Sequence, residues 1–341
     1  MVRADGGWLV RLALAGGSLA VLAFSIGLAV SIGEVRIPLL TAAKAVGNRL
    51  FGLGYDVSRL QEGVIWEYRL SRALLAACCG GGLAISGAVL QALLRNPLAE
   101  PYVLGISAGA STGAAAVVIM GVGGGAVSLS GGAFLGALVA LLTVAILAAG
   151  AGGGDRIVLA GVAAAQLFNA LTSYIVTTAA NAEQARGVMF WLLGNLSGVR
   201  WPDVALAAPL TLVGATLCML HARALDAFTF GTDGAAALGV NVIRARLVLF
   251  GLTAAITATM VSIVGSIGFV GLVIPHAARF IVGPAHARLL PACLMSGASF
   301  TVLADVISRT LVPQQTLPIG VVTALFGAPA FAVILYRARQ R

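Results

Sequence analysis

The chain has 341 residues, of which 60% are hydrophobic and 10% charged. Soluble domains carry about 25% charged residues, so a chain this apolar could not cover a water-facing surface. The formal charge of +9 would suit nucleic acid, but the cations are scattered and nearly all arginine, with Lys44 the single lysine and no basic run interleaved with aromatics. Arginines flanking membrane spans account for the excess, and no nucleic-acid partner is expected.

Runs of about 20 apolar residues match the hydrocarbon thickness when wound as α-helix, which also pairs every backbone group internally. In chain order the runs fall at 8–33, 73–94, 103–121, 131–149, 157–180, 203–221, 247–266, 268–282, 289–311 and 318–336. The short alternating segments of a transmembrane barrel do not occur. The predicted class is an all-α integral membrane protein of about ten transmembrane helices, forming one transmembrane domain over residues 1–341. The first run follows Arg3, is too long for a signal-peptide core and lacks a small-residue cleavage site, so it is predicted to remain as a helix. The eighth run is short and contains Pro275, which predicts a broken helix. Gly105, Gly109 and Gly113 recur at helical spacing, as do Gly132 and Gly136, and predict close helix crossings.

Two polar connections stand out, an outer loop at 34–72 with its own amphipathic pieces and a cytoplasmic loop at 222–246 whose helix-like piece, Gly234 to Leu238, ends at Gly239. With an even number of spans both ends share one side. Arginine is biased to the short loops on that side, and the tail Arg337, Arg339 and Arg341 agrees, which predicts cytoplasmic ends.

Absences narrow the chemistry. Cys78, Cys79, Cys218 and Cys293 lie in apolar runs without metal spacing and read as small packing residues. His221, His276 and His286 form no ligand or catalytic pair. Gly152-Gly153-Gly154-Asp155-Arg156 lacks the GK[ST] ending of a phosphate loop, so any ATPase must be another polypeptide. An ion-coupled carrier would place acids within its spans. Here Asp305 and Arg309, four apart on one helix, are the nearest approach, and a local ion pair is the alternative reading. A membrane enzyme would need a nucleophile–base or metal constellation, and none is visible. Run five carries a polar stripe, Gln166, Asn169, Thr172, Ser173 and Thr177, either a water-lined wall or a set of interhelical hydrogen bonds. Thr253, Thr257 and Ser262 form a weaker stripe on run seven.

Three motifs then carry a resemblance. The first is Ile85-Ser-Gly-Ala-Val-Leu-Gln91 with Arg95-Asn-Pro-Leu-Ala-Glu-Pro101 and Leu104-Gly-Ile-Ser107. The second is Gly268-Phe-Val-Gly-Leu-Val-Ile-Pro-His276, and the third Leu317-Pro-Ile-Gly-Val-Val-Thr323 with Gly327-Ala-Pro329. From about residue 66 onward the chain resembles the permeases of type II ATP-binding-cassette (ABC) importers for cobalamin, haem and ferric siderophores. The resemblance implies a homodimer in a bacterial inner membrane, two ATPase subunits that bind ATP and Mg²⁺, a periplasmic binding protein, and no cofactor in this chain. It implies a path lined by the fifth and tenth helices and the short segment after the fifth. On the matching positions, Arg69, Arg72 and Arg309 would dock the binding protein. Asn96, Pro97 and Leu98 would form a cytoplasmic gate opposite Gly154 and Asp155, where the family tends to use small hydroxyl residues. Gly231, Asp233, Ala236, Leu238 and Gly239 would enter the ATPase cleft, with Asp233 in place of the usual acid. The path would include Gln166, Phe168, Asn169, Thr172, Ser173 and Thr177. A wall with Phe168, Tyr174, Met189, Phe190 and Trp191 and few charges favours haem over a ferric siderophore, with cobalamin the alternative.

Overall fold

The computed structural model describes residues 7–33, 35–149, 154–312 and 314–338. The chain enters as α1 (Gly7–Ser31), followed by a short helix α2 (Leu39–Phe51). Next comes one continuous helical rod made of α3 (Arg59–Gly63), a π-helical segment (Val64–Leu70) and α4 (Ser71–Leu93). A 3₁₀ turn (Pro101–Leu104) leads into α5 (Ile106–Met120), α6 (Leu129–Ala148) and α7 (Gly154–Ala179). Then follow the short α8 (Ala182–Leu192), α9 (Trp201–Leu220), two small helices α10 (Ala222–Phe228) and α11 (Gly231–Ala237), and α12 (Val242–Val264). The chain closes with α13 (Val270–Val282), α14 (His286–Thr310) and α15 (Ile319–Ala338).

Every predicted apolar run has its helix. Among the described residues seven helical stretches are long and apolar enough to cross a membrane, and α5, α13 and α15 are shorter apolar helices. Together they account for the ten predicted apolar runs.

The hub is α4, buried along nearly its whole length and packed by α9, α12, α13 and α14. A helix that is apolar on every side belongs in the interior, and its small residues let neighbours close in. A Cβ at Gly80 would overlap the Gly297 carbonyl of α14, and one at Gly87 would overlap the Gly271 carbonyl of α13. The predicted close approach is found, and it pairs α5 with α6: Gly109 faces Gly136 and Gly113 faces Gly132 with no room for a side chain. Gly105 does not join it. At φ 71° it is the left-handed N-cap of α5, a conformation that glycine adopts without strain.

Two expectations change. Residues 59–72 are not loop but the helical extension of α4, so the connection on that face ends at Ser58, whose hydroxyl accepts from Gln61 N at 3.3 Å. Arg59, Gln61, Glu62 and Glu67 hid this helix from hydropathy. Its π-helical part directs the Trp66 carbonyl to the indole N–H of Trp201 at 3.1 Å, tying the extension to α9. Pro275, second, does not break α13. It removes the N–H that would bond the Gly271 carbonyl, and Gln91 Nε2 of α4 donates to that oxygen at 3.3 Å instead.

Candidate functional site

The three arginines expected at a docking surface form one cluster near the C-terminal end of α1, and most of their donors are already used. Arg69, only 8% exposed, donates from Nη1 to the carbonyls of Val30 at 2.9 Å and Ser31 at 3.0 Å, and from Nη2 to that of Val35. Arg309 donates to Ile32 O at 3.0 Å and Ala29 O at 3.1 Å. These are carbonyls left over at a helix C-terminus, where a cation also opposes the helix dipole. Gly33 makes the room, because a Cβ there would lie 2.8 Å from the Arg69 guanidinium. Arg69 and Arg309 are therefore clamps on α1 rather than freely exposed charges. Asp305 completes the cluster. It is fully buried, accepts from Arg72 Nε at 2.9 Å and Nη2 at 2.8 Å, and lies 3.1 Å from Arg309 Nε. The Asp305–Arg309 ion pair exists, and Arg72 shares it across helices. Arg72 reaches outward to Ser197 at 3.2 Å, and Arg200 is exposed beside it, stacked 4.6 Å from the Tyr68 ring.

The stripe on α7 divides in two. Gln166, Asn169, Ser173 and Thr177 are exposed on the outward side of the subunit, with Tyr174 beside them. Phe168 and Thr172 turn the other way. Thr112 Oγ1 lies 2.8 Å from both the Phe168 carbonyl and Thr172 Oγ1, so these two belong to the α5–α7 contact and not to a wall. The stripe of Thr253, Thr257 and Ser262 is buried too, each hydroxyl bonded to its own helix backbone. After α7 the chain folds back through α8, which presents Met189 and Phe190 outward. Its end meets the start of α15 and the end of α12: Gly194 O accepts Ile319 N at 3.0 Å, and Asn195 N donates to Val264 O at 2.8 Å. Ends of α8, α12 and α15 thus share one knot.

At the far end of α4 lies the loop of Asn96, Pro97 and Leu98. Asn96 Oδ1 accepts Leu98 N at 2.9 Å, which leaves Pro97 and Leu98 exposed. Gly154 and Asp155 begin α7, but their side chains, like those of the tail Arg337, Arg339 and Arg341, lie outside the described residues. What sequence reasoning missed is how this loop is held. Gln91 Nε2 also donates to Ala99 O at 3.3 Å, while its Oε1 accepts from Arg279 of α13 at 2.7 Å. Glu100 Oε1 accepts Phe269 N at 2.9 Å, capping α13 where Phe269 is left-handed at φ 68°. Tyr102 Oη accepts Ile267 N at 2.9 Å and donates to Ile267 O at 3.1 Å. The loop is thereby clasped to the α12–α13 break.

The expected coupling piece is two helices rather than one. Gly231 opens α11 at φ 89°, in contact range of Arg95 at the gate loop. Asp233, Ala236, Leu238 and Gly239 are exposed in a row, with Phe230 adding an exposed apolar face. Behind them Asp226 of α10 accepts His286 N at 2.9 Å and contacts its Nδ1 at 2.6 Å, fastening the pair of helices to α14.

Comparison with known proteins fits this arrangement. The model of the FecCD transport family matches residues 21–337. The chain is 39% identical over 311 residues to the cobalamin import system permease protein BtuC of Halobacterium salinarum, covering 89% of this chain and 80% of that one. It is 37% identical over 345 residues to the "Probable siderophore transport system permease protein YfhA" of Bacillus subtilis, covering 98% and 96%. It is 36% identical over 276 residues to the Fe(3+) dicitrate permease FecD of Escherichia coli, covering 81% and 86%. A solved structure described as a metal-chelate type ABC transporter in an inward-facing conformation superposes with a TM-score of 0.83 at 29% identity, covering 95% of this chain and 99% of that one. The chain therefore belongs to the FecCD transport family, as the membrane permease of an ABC importer whose ATP is hydrolysed by a separate subunit.

Proposed function

We propose that two copies of this chain enclose an import path for a large metal chelate, and that an amide-bearing corrinoid suits the path better than haem. The observation that carries this is the outward face of α7. Gln166, Asn169, Ser173 and Thr177 are exposed there and uncharged. Thr177 bonds its own helix backbone, but left against lipid the amides of Gln166 and Asn169 would cost free energy, so such a face belongs against water or protein. Neutral amides and hydroxyls pair with a cargo rimmed by amides. The carboxylates of haem or of ferric citrate would call for cations, which this stripe lacks. The cobalamin importer named among the relatives supports the same choice.

In this reading both termini are cytoplasmic, in a bacterial inner membrane. Asn96, Pro97 and Leu98, with the start of α7 at Gly154 and Asp155, gate the cytoplasmic end. Asp233, Ala236 and Leu238 enter the cleft of an ATPase that binds ATP and Mg²⁺. Since Arg69 and Arg309 are committed to α1 and Arg72 is paired with Asp305, docking of an acidic binding protein falls first to the exposed Arg200, with only the outer Nη1 of Arg72 turned the same way towards Ser197. The test is uptake by proteoliposomes containing the permease, its ATPase and its binding protein, supplied with cyanocobalamin, haem or ferric dicitrate. Cyanocobalamin uptake that falls in the Gln166→Leu/Asn169→Leu variant is expected. Uptake of haem with none of cyanocobalamin would overturn the substrate assignment.

A further inference from the structure

A cavity of about 600 Å³ opens between α1 and α2, and none of the three clustered arginines lines it. Its walls are mainly aliphatic, including Ile26, Val30, Leu39 and Val46, with the rings of Phe51 and Tyr55, and it contains one charged side chain, Lys44. That volume lies in the ordinary range for a ligand pocket. Among the described residues no carboxylate pairs with Lys44, whose ammonium lies 5.9 Å from the centre of the Tyr55 ring. From residue 35 to 55 the chain carries Arg36, Lys44 and Arg49 and no acid.

The far wall is built by a specific turn. Asn48 donates from Nδ2 to Tyr55 O at 2.8 Å and accepts Tyr55 N at 2.7 Å, so residues 52–55 fold back over α2. Gly52 and Gly54, at φ 63° and 68°, permit that reversal. Around the cavity the surface is one that lipid would wet: Phe24 of α1 and Leu40, Leu50 and Phe51 of α2 are all exposed. A short helix with an exposed apolar face and cations lies in the plane of the membrane interface.

We propose that this cavity seats an acyl chain of an anionic phospholipid whose headgroup phosphate is bound by Lys44. The aliphatic walls exclude a purely polar ligand, and a lone ammonium at the rim of an apolar cavity complements a phosphate at the top of a hydrocarbon chain. Lysine reaches such a position by lying its stem along the apolar wall. Basic residues near a membrane surface each add attraction for anionic lipid, enough for about a fivefold preference. The inference holds whichever face of the membrane α2 occupies.

The test is native mass spectrometry of the full-length permease, delipidated in detergent and offered equal amounts of phosphatidylglycerol and phosphatidylcholine. Wild type retains phosphatidylglycerol preferentially. Lys44→Gln reduces that preference about fivefold, and Ala43→Phe, which fills the cavity without touching charge, lowers retention of both lipids. If Ala43→Phe does not fold, Ala23→Phe closes the same cavity from α1. Equal retention of the two lipids by wild type would overturn the proposal. So would retention unchanged by Lys44→Gln, or by the cavity-filling variant. Competition by glycerol 3-phosphate as strong as by the intact lipid would show a site for free phosphate, which also overturns it.

Discussion

Replacing Asp305 by alanine tests whether the arginine cluster is a clamp. The carboxylate is fully buried, accepts from Arg72 and is ion-paired with Arg309, whose Nε donates to the Asp305 backbone carbonyl at 3.3 Å; the two arginine side chains are 14% and 11% exposed. Removing one partner of a buried ion pair costs about 3–5 kcal/mol, because the charge left behind is desolvated without compensation. Arg309 keeps the Ala29 and Ile32 carbonyls and Arg72 keeps Ser197, so the lower end, about 3 kcal/mol, is expected. Asp305→Asn retains an acceptor oxygen in the same place and should cost about 1–2 kcal/mol. Arg72→Ala, made first, removes half of what Asp305 serves. Asp305→Ala should then cost less than in wild type, with a coupling of about 1–3 kcal/mol. Equilibrium unfolding in mixed micelles, titrated with sodium dodecyl sulfate and followed by tryptophan fluorescence, measures all four states of the cycle. An Asp305→Ala loss below about 1 kcal/mol, or a cycle additive within about 0.5 kcal/mol, would refute the clamp.

Two other outcomes follow from the far end of the subunit. Glu100→Ala leaves the part-buried Phe269 N–H without its acceptor and should cost about 1 kcal/mol in the same unfolding assay, whereas Glu100→Gln keeps an oxygen there and should cost less; equal losses would show that the hydrogen bond is not the reason. Ala236→Trp adds bulk on the exposed side of α11, so the unfolding midpoint should be unchanged while co-purification with the ATPase, or transport at intact ATP hydrolysis, is lost; full transport would place the coupling surface elsewhere.

The spans were legible because lipid leaves the chain few choices: ten apolar runs became ten helices, and even the Gly265–Gly268 interruption appeared where α12 gives way to α13. The α5–α6 crossing was legible for a related reason, since glycines at i and i+4 have little other use on a lipid-facing helix. Hydropathy failed where a helix left the hydrocarbon. The rod continues to Arg59 on polar residues, held by tertiary contacts such as Trp66 with Trp201. The stripe on α7 was half legible. Polarity alone could not separate the exposed Gln166, Asn169, Ser173 and Thr177 from Thr172, which a partner hydroxyl on α5 takes inward.

The arginines and the gate loop were singled out from their motifs, yet most of their contacts were out of reach because Arg69, Arg309 and Gln91 reach backbone groups distant in sequence. A carbonyl at the end of α1 is the same chemical group whatever residue bears it, so nothing in its local sequence announces Arg69 or Arg309 as its partner. Pro275 is the exception. A proline inside a membrane helix leaves the carbonyl four residues earlier without its donor, and lipid supplies none. Gly271 therefore required a polar side chain from a neighbouring helix, and the neighbour had to be close, because Gly271 has no side chain to hold it away. Gln91, the last polar residue of α4 and one turn beyond Gly87, meets both conditions. Its second bond, to Ala99 O, carries the same constraint into the gate loop, and Arg279 locks its oxygen from α13. A residue recruited to repair one backbone defect thus joins α4, the α13 helix and the gate loop, so these three elements cannot shift relative to one another without breaking a buried hydrogen bond.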